Sequence, residues 1–157
     1  MRRSIAIAVA AVAPLLATPA HALCVYHDRM YAKTSLAEEF HDAKWVVKAK
    51  VEAGDYHWAN YGPSWTIYTV RVLTRFKGPP VATFRLFTYR DSGGFYLDKG
   101  TDPDLDSDYL LFLDPAIQTL PRGVANVVQV NYACGQSKQW SDLTLADQRT
   151  LARFARR

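Results

Sequence analysis

The chain has 157 residues, 49% of them hydrophobic and 13% aromatic, and a formal net charge of +4. That length fits one domain. A chain of this size buries roughly two-thirds of its unfolded surface, so its core needs no dense disulfide framework. The basic excess is too small to argue for a nucleic-acid partner on charge alone.

Residues 1–22 have the layout of a cleaved secretory signal. Arg2 and Arg3 precede an apolar run over 5–17, and Ala20-His21-Ala22 supplies a small-x-small cleavage site. Cleavage is expected after Ala22, with Ala20 as the alternative, which leaves a single domain over 23–157. The apolar run is too short and too rich in alanine for a membrane span, and no second run of that length follows. The expected product is a secreted or periplasmic monomer without a membrane span. Losing Arg2 and Arg3 with the signal lowers its formal charge from +4 to +2.

Beyond the signal, Ser35-Leu36-Ala37-Glu38 is a capping-box pattern, predicting a short helix to about Asp42. Trp45, Val47, Ala49 and Val51 alternate with Lys48, Lys50 and Glu52, as in a half-buried strand. A loop is expected over 54–64, carrying Tyr56, Trp58 and Tyr61, with Trp65 just beyond and folding back on the domain. Tyr68, Val70 and Val72 mark a second strand. Lys77-Gly78-Pro79-Pro80 is a turn, because neither proline can donate to a ladder. Phe84, Leu86 and Thr88 form a third strand, broken by Ser92-Gly93-Gly94. An acidic loop leads to an apolar fourth strand over 109–113, and Val128, Val130 and Tyr132 alternate in a fifth. Thr144-Leu145-Ala146-Asp147 starts a last helix, with Leu145, Leu151 and Phe154 on one arc and Arg149, Arg153 and Arg156 on the other. The fold class is mainly β: a five-stranded Greek-key barrel of OB type, with a short helix before the first strand and a C-terminal helix.

Cys24 and Cys134 are the only cysteines. In an oxidising compartment they most simply form one bridge. Closing a loop of about 110 residues, it would contribute nominally about 4–5 kcal/mol in the chain-entropy model. Two free thiols are the alternative.

Several chemistries lack their motifs. Asp102, Asp104, Asp106 and Asp108 alternate, but an EF-hand counted from Asp102 would need glycine at Ser107 and glutamate at Leu113, so a solvated acidic loop is expected. His27, His41 and His57 have no metal-ligand spacing, and no nucleophile elbow, P-loop or dinucleotide fingerprint is present. No enzyme, cofactor or metal is expected. The arginines of the last helix are read as a solvated face.

The tail carries the most specific pattern: Cys134, Trp140 six residues later, then Leu143-Thr144-Leu145-Ala146-Asp147-Gln148-Arg149. With Val46-Val47-Lys48-Ala49-Lys50-Val51, the run over 68–73 into Phe76-Lys77-Gly78, and the strand over 109–113, it resembles the netrin-like (NTR) domain. Within that family it is similar to the N-terminal domain of the tissue inhibitors of metalloproteinases, in a reduced form. The resemblance implies an OB barrel flanked by helices and the pairing Cys24–Cys134. It gives Trp140, Leu143 and Leu145 structural roles. The inhibitors begin Cys-x-Cys and chelate the protease zinc through the first cysteine's amine and carbonyl. Here that position falls on Ala22 and its partner on Gly93, while a third family cysteine falls on His41. The expected function is therefore an exported, non-catalytic binding module. It would engage a protein or envelope component through Tyr56, Trp58 and Tyr61 and the edge at Leu23 and Cys24. Inhibition of a metallopeptidase without the cysteine chelator is the alternative, and an unrecognised enzyme comes third.

Overall fold

The structure is a computed structural model that describes residues 34–91 and 94–156, together with the backbone ladder of Val25–Tyr26 against Arg29–Met30. The signal over 1–22, its cleavage site, Leu23, Cys24, His27, Ser92 and Gly93 lie outside the described residues.

Five strands close a barrel. They are β1 (Trp45–His57), β2 (Trp65–Lys77), β3 (Thr83–Tyr89), β4 (Asp108–Pro115) and β5 (Val128–Val130). The ring runs β1-β2-β3-β5-β4 and back to β1, antiparallel at every seam except β3–β5. One parallel pairing in that order is the OB arrangement. A two-residue strand, Lys138–Gln139, adds to the outer side of β4. Helix α1 (Leu36–Asp42) precedes the barrel and α2 (Leu145–Phe154) follows it.

Both helices start as the sequence predicts. The Ser35 hydroxyl accepts from Glu38 N–H while the Glu38 carboxylate accepts from Ser35 N–H, and Thr144 and Asp147 repeat the exchange. Each box satisfies N–H groups that the first helical turn leaves without partners.

Side-chain alternation sorts the barrel into an inside and two covered outer faces. Val47, Ala49 and Val51 point inward with Tyr68, Val70, Phe84, Leu86, Tyr109, Leu111 and Leu113. The other face of β1 and β4 presents Val46, Leu110 and Phe112, which meet Ala43, Leu143 and Leu151 beneath the helices. Every residue over 109–113 is buried, because β4 is covered on both faces. Trp140 belongs to this helical layer, its indole parallel to Phe76 at 6.0 Å with the Lys48 ammonium over it. Leu145, expected in the same layer, is 69% exposed. It occupies the first helical position, and at about 100° per residue it falls on the side of Arg149 rather than that of Leu151, so Leu143 and Leu151 fill the layer instead. On the third face, Ile67, Phe87 and Val127 are closed over by Leu120 and Val124.

Two strand boundaries differ from the expectation. β1 continues through Gly54 and Asp55 to His57, because Ala53–His57 pair residue by residue with Trp65–Thr69. Three register shifts between Val46 and Ala53 bend the strand as it follows the ring. The loop is thereby shortened to the residues between His57 and Trp65. β5 ends at Val130, and Tyr132 is buried beyond it. Gly78 meets a backbone requirement in the β2–β3 turn. Its φ is +91°, and a Cβ there would overlap the Trp45 ring and come within 2.6 Å of the Lys44 carbonyl oxygen.

Candidate functional site

The end of β1, the start of β2 and the end of β3 meet at one end of the barrel. The segment over 94–107 folds across that end and buries Leu97 in the interior. This brings Tyr56, Thr66, Tyr68, Arg90 and Asp98 together. Asp98 Oδ1 accepts from the hydroxyls of Tyr56 at 2.7 Å and Tyr68 at 2.6 Å, and Oδ2 accepts from Arg90 Nη2 at 2.6 Å. Arg90 Nη1 also donates to Thr66 Oγ1 at 2.9 Å. The ion pair is shielded, with side-chain exposures of 14% for Arg90 and 7% for Asp98. A pair this enclosed holds its geometry because each charge lacks water as an alternative partner.

Rings stand around the guanidinium. Its carbon lies 4.7 Å from the Trp58 ring centre, 5.1 Å from that of Tyr56 and 4.8 Å from that of Tyr96. Tyr56 and Trp58 are near parallel, 9° apart with centroids 6.1 Å apart. Trp58 keeps 65% of its surface exposed and Tyr61 97%. The expected binding residues therefore divide. Tyr56 is a strand residue anchored to the part-buried pair, Trp58 rests on that anchor with much of its surface open, and Tyr61 projects with no ring contact among the described residues. Trp65 folds back as expected, against Phe87, with His57 stacked on it at 4.6 Å.

No protein-family model matches this chain, and no curated protein matches it. The reading of the site rests on its own residues.

The network clamps the rings of Tyr56 and Trp58 in place. Burial, reinforced by the Asp98 carboxylate, raises the phenols of Tyr56 and Tyr68 well above the ordinary range, so neither becomes a phenolate near neutral pH. Burial works against the Arg90 charge, but its hydrogen bonds to Asp98 and Tyr68 outweigh that and raise its pKa. Both Asp98 oxygens are occupied. Among the described residues no group of three or more His, Cys, Asp or Glu side chains could hold a metal ion, and no helix is long and apolar enough to cross a membrane.

The acidic loop is less solvated than expected. Asp104 is buried, where it accepts from the Tyr109 hydroxyl at 2.8 Å and from Asp106 N–H and Ser107 N–H. Burial raises its carboxyl, but these donors outweigh burial and hold it below the usual value. Burial and Asp104 together push the Tyr109 phenol up to about 12, with Gln139 opposing. Asp106 and Asp108 pair with Lys99 and Lys48.

The tail loop is fixed from α1. Glu39 is fully buried, and its Oε1 accepts from the Thr34 hydroxyl and, at 2.8 Å, from Gln136 N–H. Its Oε2 has no hydrogen-bond partner among the described residues. Gly135 lies against Oε1 so closely that any Cβ would overlap it. Cys134, the residue before, is disulfide-bonded.

Sequence reasoning found Tyr56, Trp58 and Tyr61 but missed Arg90, Tyr96 and Asp98, which hold the first two in place. The available signal was an arginine at the end of an aromatic strand, with an aspartate directly after the apolar run Phe95-Tyr96-Leu97.

Proposed function

We propose that this chain is an exported, single-domain, non-catalytic binding module of netrin-like type, with Cys24 bridged to Cys134. It would engage a protein or envelope component through Trp58 and Tyr61 and through the edge at Leu23 and Cys24. One observation carries the reading: an exposed indole is held parallel to Tyr56 over a part-buried Arg90–Asp98 pair. A large ring that is already immobilised loses little entropy when a partner covers it, which is how aromatic anchors concentrate binding energy.

The test is capture from an envelope extract by the purified protein, its N-terminus identified by mass spectrometry, against Trp58→Ala/Tyr61→Ala. A partner retained by the parent and lost by the double variant supports the reading. Recovery of a metallopeptidase in that way would narrow it to inhibition. Equal capture by both proteins would refute the aromatic surface as the binding site.

A further inference from the structure

Helix α2 lies against the Phe76–Lys77 end of β2, away from the aromatic site. Its inner side is committed to the fold: Leu151 is fully buried beneath it, and Phe154 packs on Phe40 with ring centres 5.0 Å apart. The opposite side presents Arg149 and Arg153 one turn apart, with Arg156 just past the helix end, all exposed. These three side chains, with Ala146, Thr150 and Ala152 between them, line an open groove of about 550 Å³. Leu145 lies at the N-terminal edge of the same face, 69% exposed.

The charges on this face are unopposed within the described residues. None of the three guanidiniums is in an ion pair, in contrast to Arg71 with Glu52 and Arg90 with Asp98. Asp147, the acid nearest in sequence, is engaged in the Thr144 cap. The carboxylates over 98–108 gather on the segment that closes the other end of the barrel. A molecule of small net charge thus carries a concentrated positive face.

We propose that this face of α2 docks on an anionic lipid surface, with Arg149, Arg153 and Arg156 on headgroup phosphates and Leu145 entering the interfacial layer. Guanidinium suits phosphate because its planar fork can give two parallel hydrogen bonds to one group. The three alanine and threonine side chains between the arginines leave headgroups room to approach. An exposed leucine beside basic residues, on a face without acids, is the composition of a surface-lying helix. Three charges give weak, reversible docking that depends on ionic strength. The proposal is independent of the aromatic-site reading, since no residue is shared.

The test is co-sedimentation of the purified protein with vesicles of phosphatidylcholine alone or with about one-third phosphatidylglycerol, at low and at physiological salt. The readout is the ratio between the two vesicle types, which an apolar N-terminal run would not alter. About tenfold or greater preference for the anionic vesicles at low salt is expected, falling as salt rises. Arg149→Gln/Arg153→Gln/Arg156→Gln should abolish the preference, and Trp58→Ala should leave it intact. Arg149→Lys/Arg153→Lys/Arg156→Lys keeps the charge and should keep most of the preference, which guards against a folding defect in the glutamine variant. Equal binding to both vesicle types would overturn the proposal, as would a glutamine variant that binds like the parent. Full displacement by millimolar inorganic phosphate at constant ionic strength would overturn it in favour of a small-anion site.

Discussion

At the residue scale, two acids set opposite electrostatic demands, Asp98 half-buried and Glu39 fully buried. Asp98 is the ion-pair partner of Arg90, so Asp98→Asn leaves a shielded guanidinium without that partner. Removing one partner of a fully buried pair costs about 3–5 kcal/mol, and because this pair is only partly buried the loss should fall below that range. Urea unfolding should show that loss, together with increased mobility of the Trp58 indole by fluorescence anisotropy. Glu39 works the other way. Burial raises its carboxyl above the ordinary 4.5, against the lowering effects of Thr34, Gln136 and Lys138. A raised folded-state value means that the folded chain holds this proton more tightly than the unfolded chain. The stability it contributes is fully present below about pH 4.5 and is lost as pH rises through the raised value. Melting temperatures from pH 5 to 8 should fall more for the parent than for Glu39→Gln, which cannot titrate. Parallel curves for the two would show that Glu39 does not titrate in that range. Asp104, held low, contributes stability above its ordinary 3.8 that is lost as pH falls through the depressed value, so it dominates at the acid end instead.

At the element scale, the two capping boxes are the most local features of the fold. Thr144→Ala removes the acceptor for Asp147 N–H and should cost about 1 kcal/mol, measured by denaturant unfolding with an unchanged m-value. These boxes were readable because all their partners lie within four residues. The strands were readable where apolar residues alternate, as in Val47, Ala49 and Val51. The last third of β1 was not, since Gly54 and Asp55 are poor strand formers. It is the complete ladder to Trp65–Thr69 that holds them extended. The Arg90–Asp98 clamp was hidden for a related reason. Asp98 lies in a two-residue strand, Asp98–Lys99, paired with Asp102–Pro103, too short for alternation to mark, and only the closed barrel decides which strand ends that hairpin crosses. Leu145 was misjudged because the arc was drawn too wide: six residues before Leu151, it falls on the side of Arg149.

At the scale of the whole molecule, one barrel separates two surfaces of different character. The aromatic site sits where β1, β2 and β3 expose one set of ends, and the arginine face rides on a helix against the other end of β2. Trp58→Ala/Tyr61→Ala should leave the melting temperature nearly unchanged, because most of both side chains is already in water, while partner capture is lost. The ring joining these surfaces is uneven. β1 and β2 are locked by eleven paired positions, whereas β3 meets β5 at the single pair Leu86–Val128. A stave held by one nail is where a cask first leaks. Amide hydrogen exchange should therefore be faster along the β3–β5 seam, at residues 86–89 and 128–130, than at 46–51, and partial opening there would widen the cleft of about 320 Å³ that already lies beside Thr88, Gln129 and Val130. The barrel would then breathe like a hinged cuff, with its strongest staves as the hinge.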